Sequence, residues 1–470
     1  MLFPTIRFAV FFAVVFPVSW ALVPSSHRWK WFMLGASWFF YGAWDWRFVA
    51  LIALSTGGNH GFALLVHRSP EGPARQWAAR AAVAANLAVL GCFKYTGFFS
   101  ESGSSVLRAF GFEVNPPDVR VVLPVGISFI TFQALSYVID VGRGKVAPAS
   151  ALDFGVYLSF FPHVIAGPIV RASEFLPQLQ ERPDPRKVDV GPAFWLIAVG
   201  LFKKVVVASF LADRIVDPLF ASPQQHGGIE ALVGIYAYAI QIFADFSGYT
   251  DMAIGLAALL GFRFPQNFNS PYAASSLQDF WRRWHMTLSR WLRDYVYIPL
   301  GGSRRGRFRT YVAIFLTMLV GGLWHGAAWT FVAWGALHGG WLVMERLWRE
   351  RSSRSEPRAP GPVSAWAGRL LTFHVVCLGW VFFRADSFRT ASEILERLVK
   401  PSATPLNMVV PVVVALMLAA QFVPSGLVKR ARSSLAEVHP AVLGLGLAMA
   451  VVVVDVLGPE GVAPFIYFQF

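Results

Sequence analysis

An all-α polytopic membrane protein is predicted, and three observations predict it. Of 470 residues, 55% are hydrophobic and only 14% charged, where a soluble chain carries about 25% charged residues. Mean hydropathy is +0.50. Apolar runs of bilayer length recur along the chain, at 6–24, 32–54, 78–99, 119–140, 151–169, 191–212, 229–260, 311–347, 366–384, 407–424 and 440–457. A helix needs about 20 mostly apolar residues to cross the hydrocarbon core, so about 10–12 crossings are expected, plus re-entrant and interfacial helices.

The first run, Phe8 to Val23, follows a lone Arg7 and carries no clear small-x-small cleavage site. It reads as an uncleaved membrane helix rather than a signal peptide. Runs 229–260 and 311–347 are too long for one simple crossing; a tilted helix, a helix pair and a re-entrant element stay open for each. Basic clusters follow nearly every run, which defeats strict positive-inside alternation. Some connections must therefore dip in and return, which backbone tolerates only under protein or cavity cover. Gly126, Gly167-Pro168, Pro265, Gly301-Gly302 and Gly321-Gly322 are the candidate breaks. The polar, Pro-rich stretch 352–362 reads as a flexible loop. No internal repeat is visible, so residues 1–470 are read as one membrane domain.

The formal net charge is +14. Its positives sit in short connections between apolar runs, which points to cytoplasmic loops facing anionic lipid headgroups. No nucleic-acid motif competes with that reading. The two cysteines, Cys92 and Cys377, lie inside apolar runs and exclude a disulfide framework or a cysteine-based zinc site.

Two histidines carry the chemistry. His325 lies in the apolar run Ile314-Phe-Leu-Thr-Met-Leu-Val-Gly-Gly-Leu-Trp-His325, with no other titratable side chain between Tyr311 and His338. An ionisable ring there needs a partner, a cavity or a chemical task, and imidazole exchanges protons near neutral pH. It is either bonded to a neighbouring helix or faces a substrate space opened by Gly321, Gly322 and Gly326, with Trp324 and Trp329 as walls. His285 lies in Phe280-Trp-Arg-Arg-Trp-His285-Met-Thr-Leu-Ser-Arg290. From Leu277 to Tyr295 the periodicity predicts one amphipathic helix, with Trp281, Trp284, His285, Leu288 and Trp291 on the buried face. Its arginines hold either lipid phosphates or the phosphates of a soluble donor such as coenzyme A, for which Arg282, Arg283 and Arg290 are the candidates. His163, His338 and His374 are weaker candidates. Asp245, in Ile242-Phe-Ala-Asp-Phe-Ser-Gly-Tyr249, is placed to orient an imidazole or pair with an arginine.

Three stretches resemble the membrane-bound O-acyltransferase family: Gln241-Ile-Phe-Ala-Asp-Phe-Ser-Gly-Tyr249, the segment Phe280 to Gly302, and Gly321-Gly-Leu-Trp-His-Gly-Ala-Ala-Trp329. They look closest to its bacterial branch containing the alginate O-acetyltransferase membrane subunit. Leu123 to Gln133, Phe160 to Arg171 and Gly200-Leu-Phe-Lys-Lys204 add to the likeness, which is densest over 123–340. His163 stands where a residue such as Gln is expected.

The resemblance implies a helical body around a tunnel across the cell inner membrane. It implies His325 as the catalytic histidine and His285 as the second motif histidine. It further implies acetyl-CoA as a donor that is consumed rather than bound as a cofactor, no metal, a polysaccharide hydroxyl as the final acceptor, and an extracytoplasmic SGNH-type partner. The aromatic tail at 464–470 resembles that of a small membrane protein of teichoic-acid D-alanylation, which implies Tyr467 as a covalent acyl relay; an aromatic-belt anchor is the alternative. Two rivals remain at this point. One is the same family with an acyl-carrier protein delivering D-alanine; the other is a transporter or scaffold of a polysaccharide export complex.

Overall fold

The computed structural model describes residues 1–112, 114, 123–352, 361–401 and 407–457. Among the described residues the secondary structure is helical, without strands. The chain packs as two compact units, Met1–Asp189 with Leu256–Pro265, and Val190–Gly255 with Gln266 onward.

The first unit holds α1 (Ile6–Leu22), α2 (Ser26–Gly42), α3 (Arg47–Arg68), α4 (Pro73–Ala109), α5 (Ile127–Gly142), α6 (Ala151–Ser159), α7 (Phe161–Val164) and α8 (Ala172–Gln180). A phenylalanine cluster of Phe3, Phe8, Phe11, Phe40 and Phe161 joins α1, α2 and α7. Asn59 and Asn86 exchange side-chain amide bonds of 3.1 and 2.7 Å between α3 and α4. Such pairing satisfies polar groups where water is scarce.

The window 151–169 does not form one crossing. Pro162 and the Gly167-Pro168 pair divide it into α6 and the single-turn α7, because proline removes a helical donor. His163 in that turn is buried and bonded through Nε2 to the Tyr157 carbonyl at 2.8 Å, amid Phe160, Phe175 and Phe264. It is part of the packing of this unit.

The second unit holds α9 (Val190–Ala221), α10 (Gly228–Leu259, whose last turn belongs to the first unit), α11 (Leu277–Arg283), α12 (Met286–Leu292), α13 (Arg307–His325), α14 (Trp329–Ser352), α15 (Pro362–Arg384), α16 (Phe388–Arg397), α17 (Val409–Ala419), α18 (Ser425–Ala436) and α19 (Pro440–Leu457). Run 229–260 is thus one 32-residue helix, and run 311–347 is a helix pair. The pair does not break at Gly321-Gly322, which stay helical, but at Gly326–Ala328.

By length and composition α3, α4, α9, α10 and α15 can each cross a membrane. A sixth span is added if the pair Val409–Phe422 and Ser425–Leu435, bent by 92°, is one crossing. Helices Ile6–Leu22 and Ile127–Gly142 are apolar but shorter. The protein is a multi-pass membrane protein.

Close approach of α9 and α10 follows from glycine. A Cβ on Gly200 would lie 2.5 Å from the Gly248 carbonyl oxygen, and one on Gly248 would lie 2.7 Å from that of Gly200. Small residues at such a crossing bring backbones together. The π-helical turn Phe202–Ala208 then aims two lysines at α10: Lys203 at Asp251, and the buried Lys204 at the buried Asp245. Asp245 thus pairs with a lysine, where the sequence had offered an imidazole or an arginine. The corrected partner came from a helix whose rotation the sequence periodicity did not fix.

Candidate active site

The segment expected to be one amphipathic helix is broken at its histidine. His285 adopts φ 41°, ψ 54° between α11 and α12. This left-handed backbone is uncommon for a residue with a side chain, costs of order 1–3 kcal/mol and concentrates at functional sites. The segment before α11 holds it there. The Asn267 carbonyl accepts the Met286 N–H at 2.9 Å, and Asn269 N–H donates to the Arg283 carbonyl at 2.9 Å.

Asn267 Oδ1 accepts from Thr287 N–H at 3.2 Å and from Thr287 Oγ1 at 2.9 Å, and lies 3.1 Å from His285 Nδ1. An oxygen engaged by two donors makes Nδ1 the proton-bearing nitrogen, which leaves the basic lone pair of neutral His285 on Nε2. Of the expected buried face, Trp284, His285, Leu288 and Trp291 are buried, and Trp281 is half-buried.

His325 ends α13, 3% exposed. Its ring is boxed by Trp324, Trp334 and Phe383 at centroid distances of 4.9, 5.1 and 5.1 Å. Trp324 also lies 6.1 Å from His285, so the same indole meets both histidines. Phe246, the residue after Asp245, meets His285 edge-on at 4.6 Å. Of the two expected walls, Trp324 is in place and Trp329 is 56% exposed; Trp334 and Phe383 also flank the ring. The glycines serve helix approach: a Cβ on Gly322 would lie 2.3 Å from the Phe331 carbonyl oxygen, and one on Gly326 would overlap the Phe331 ring at 1.9 Å.

A cavity of about 650 Å³ opens beside the motif. Arg282, Arg290, Arg293, Arg346 and Arg349 line it, with Trp281, Met286, Ile314 and Met318 as apolar wall and Glu350 at its edge. Of the arginines singled out from sequence, Arg282 and Arg290 line this space. Arg283 is outside the lining and pairs with Asp279 one helical turn away at 3.0 Å. The turn after α12 has positive φ at Gly301, Gly302 and Gly306.

Aromatic contacts join the cavity to the histidine. Trp281 in the cavity wall packs 5.7 Å from Trp334, which packs against His325. His338 is buried and accepts the Trp281 indole N–H on Nδ1 at 3.3 Å. His374 bonds Tyr236 Oη at 2.7 Å and the Leu370 carbonyl at 2.7 Å. Sequence reasoning missed the part α14 plays: Glu345 accepts the Leu277 and Gln278 N–H groups at 2.6 and 3.2 Å, and the Trp341 indole at 3.2 Å. A carboxylate at the start of a helix is favoured by the exposed N–H groups and the dipole. Glu345→Ala is expected to lower unfolding stability by about 1–3 kcal/mol in detergent, measured by thermal unfolding. Glu345→Gln, which keeps acceptors, is expected to recover about half of that loss.

Comparisons with known proteins converge on one family. The sequence model of MBOAT, the membrane-bound O-acyltransferase family, matches residues 106–384. A probable alginate O-acetylase of Pseudomonas putida is 43% identical over 367 residues, covering 77% of this chain and 73% of that protein. A peptidoglycan O-acetyltransferase of Helicobacter pylori is 37% identical over 78% of this chain and 73% of its own. A teichoic acid D-alanyltransferase of Streptococcus thermophilus is 31% identical over 55% of this chain and 68% of its own.

Proposed function

Because the chain belongs to the membrane-bound O-acyltransferase family and is a multi-pass membrane acyltransferase, we propose that it moves an acetyl group from cytoplasmic acetyl-CoA across the inner membrane toward hydroxyls of an exported polysaccharide. The observation that carries this reading is the arginine-lined cavity whose wall residue Trp281 packs on Trp334, which in turn packs on His325. Arg282 and Arg290 take the donor's phosphates, for which guanidinium forks suit paired anionic oxygens. Arg283 acts through Asp279, fixing the end of α11.

In the chemical step an acceptor hydroxyl loses its proton to a ring nitrogen of His325. Its oxygen bonds the thioester carbonyl carbon, the C–S bond breaks, and the thiolate leaves and is protonated. His285, with its lone pair on Nε2, positions the thioester or relays the proton. The first acceptor in this reading is Tyr467, which lies outside the described residues; a phenol is both a fair nucleophile when deprotonated and a good leaving group, with a pKa of about 10. An SGNH-type partner outside the membrane then takes the acyl group to the glycan. The acetyl donor is preferred to a carrier-borne D-alanyl group because the acetyl-transferring relatives are the more similar and are matched over more of this chain.

The test is reconstitution in proteoliposomes with radiolabelled acetyl-CoA and no carrier protein. Protein-bound label is expected with the native chain and not with Tyr467→Phe. Label on the Tyr467→Phe chain would remove the relay. Consumption of a carrier-protein thioester, with acetyl-CoA untouched, would replace the donor.

A further inference from the structure

If the cavity arginines hold the phosphates of a donor, as proposed for acetyl-CoA, a carboxylate among them must compete with those phosphates. Among the described residues lining that cavity, Glu350 is the one carboxylate. Both of its oxygens are engaged. Oε2 accepts the Tyr311 hydroxyl at 2.6 Å, and Oε1 accepts Arg346 Nε at 2.8 Å. Arg307 Nε stands 3.6 Å away. The Tyr311 hydroxyl, and then Arg346, hold its carboxyl below the usual carboxylate range. Glu350 therefore stays charged through the neutral range, and its side chain is only 25% exposed.

Arg346 and Glu350 are one turn apart on α14, so the pair forms without help from another element. Tyr311, from α13, fixes the plane of the carboxylate. A carboxylate and a phosphate make the same paired bonds to a guanidinium, so the two compete for Arg346. Acyl transfer leaves every phosphate of the donor intact. The spent donor therefore meets the same arginines as the loaded one, and binding that does not distinguish them slows release.

We infer that Glu350 is a built-in competitor of the donor's phosphates, holding Arg346 before the donor arrives, yielding it to phosphate, and reclaiming it as the spent donor leaves. Its role rests on the donor assignment, and it is to set donor affinity and the rate of exchange at this cavity.

The experiment measures equilibrium binding of coenzyme A to the full chain in detergent. Glu350→Gln keeps the size and the acceptor for Tyr311 and removes the charge. It is expected to tighten binding about ten-fold, the scale of one unit charge near a protein surface. S-acetylpantetheine, which has no phosphate, is expected to bind both chains alike. Arg346→Gln is expected to cost at most about two-fold in the native background and about ten-fold in the Glu350→Gln background, because only there is Arg346 available. Arg282→Gln is expected to cost about ten-fold in both. In turnover, Glu350→Gln is expected to lower KM and kcat together.

Unchanged or weaker binding by Glu350→Gln, with Arg282→Gln still harmful, would overturn the competitor and leave the donor cavity standing. If Glu350→Gln does not fold, a ten-fold loss from Arg346→Gln in the native background would overturn it equally. Coenzyme A binding that ignores Arg282→Gln as well would overturn the donor reading, and the role of Glu350 with it.

Discussion

Acyl transfer is expected to fall by roughly 10²–10⁴-fold when His325 is replaced by phenylalanine, the usual contribution of a general base. Phenylalanine is the informative choice because of the ring's surroundings. With Trp324, Trp334 and Phe383 all within 5.1 Å of the imidazole centroid, alanine would leave a void. Such truncations cost roughly 2–5 kcal/mol, so His325→Ala is expected to lose both activity and stability. His325→Phe fills the box and removes the base. Surface esters are to be measured in cells carrying each variant, with thermal unfolding of the purified chains. Product esters that persist with His325→Phe at native protein levels would remove His325 from the base role.

A second large effect is expected at the buried pair between α9 and α10. Lys204→Met takes the lysine from its buried pair with Asp245, and breaking a buried pair from one side costs about 3–5 kcal/mol. The double change Lys204→Met with Asp245→Leu is expected to recover most of that stability, since an apolar pair of similar volume often replaces a buried ion pair at little cost. Activity is expected to stay low in the double variant. Phe246 follows Asp245 directly and packs 4.6 Å from His285, so the rotation of α10 that the ion pair sets also sets the wall of the second histidine. Thermal unfolding and acyl transfer are measured together. Full activity in the double variant would show that the pair serves stability alone.

Much of this was legible before any coordinates. Composition fixed the solvent, because a chain with so few charges cannot cover a soluble surface. Periodicity of 3.6 placed Trp284, His285, Leu288 and Trp291 on the buried side, while Trp281 is half-buried and Phe280 and Thr287 are buried as well. It missed the break at His285 because a left-handed residue held by Asn267 leaves no mark on hydropathy. Windows of apolar residues also located the helices better than their ends: proline and glycine cut 151–169 into short pieces, while Gly321-Gly322 stay helical and let α14 approach closely at Gly322.

By itself, the sequence determined that this is an all-helical membrane enzyme of a particular family, and that His325 and His285 are its distinctive polar residues. Those are local properties, carried by composition and by contiguous motifs. The tertiary structure decided what those residues touch. It placed Trp334 and Phe383 against His325, gave Asp245 to Lys204, and set Arg346, Arg349 and Glu350 of α14 around the cavity with Arg282 and Arg290. Most of these placements join residues far apart in the chain, and the rotation of each helix about its own axis settles them. Side-chain packing fixes that rotation, and no short window of sequence contains it.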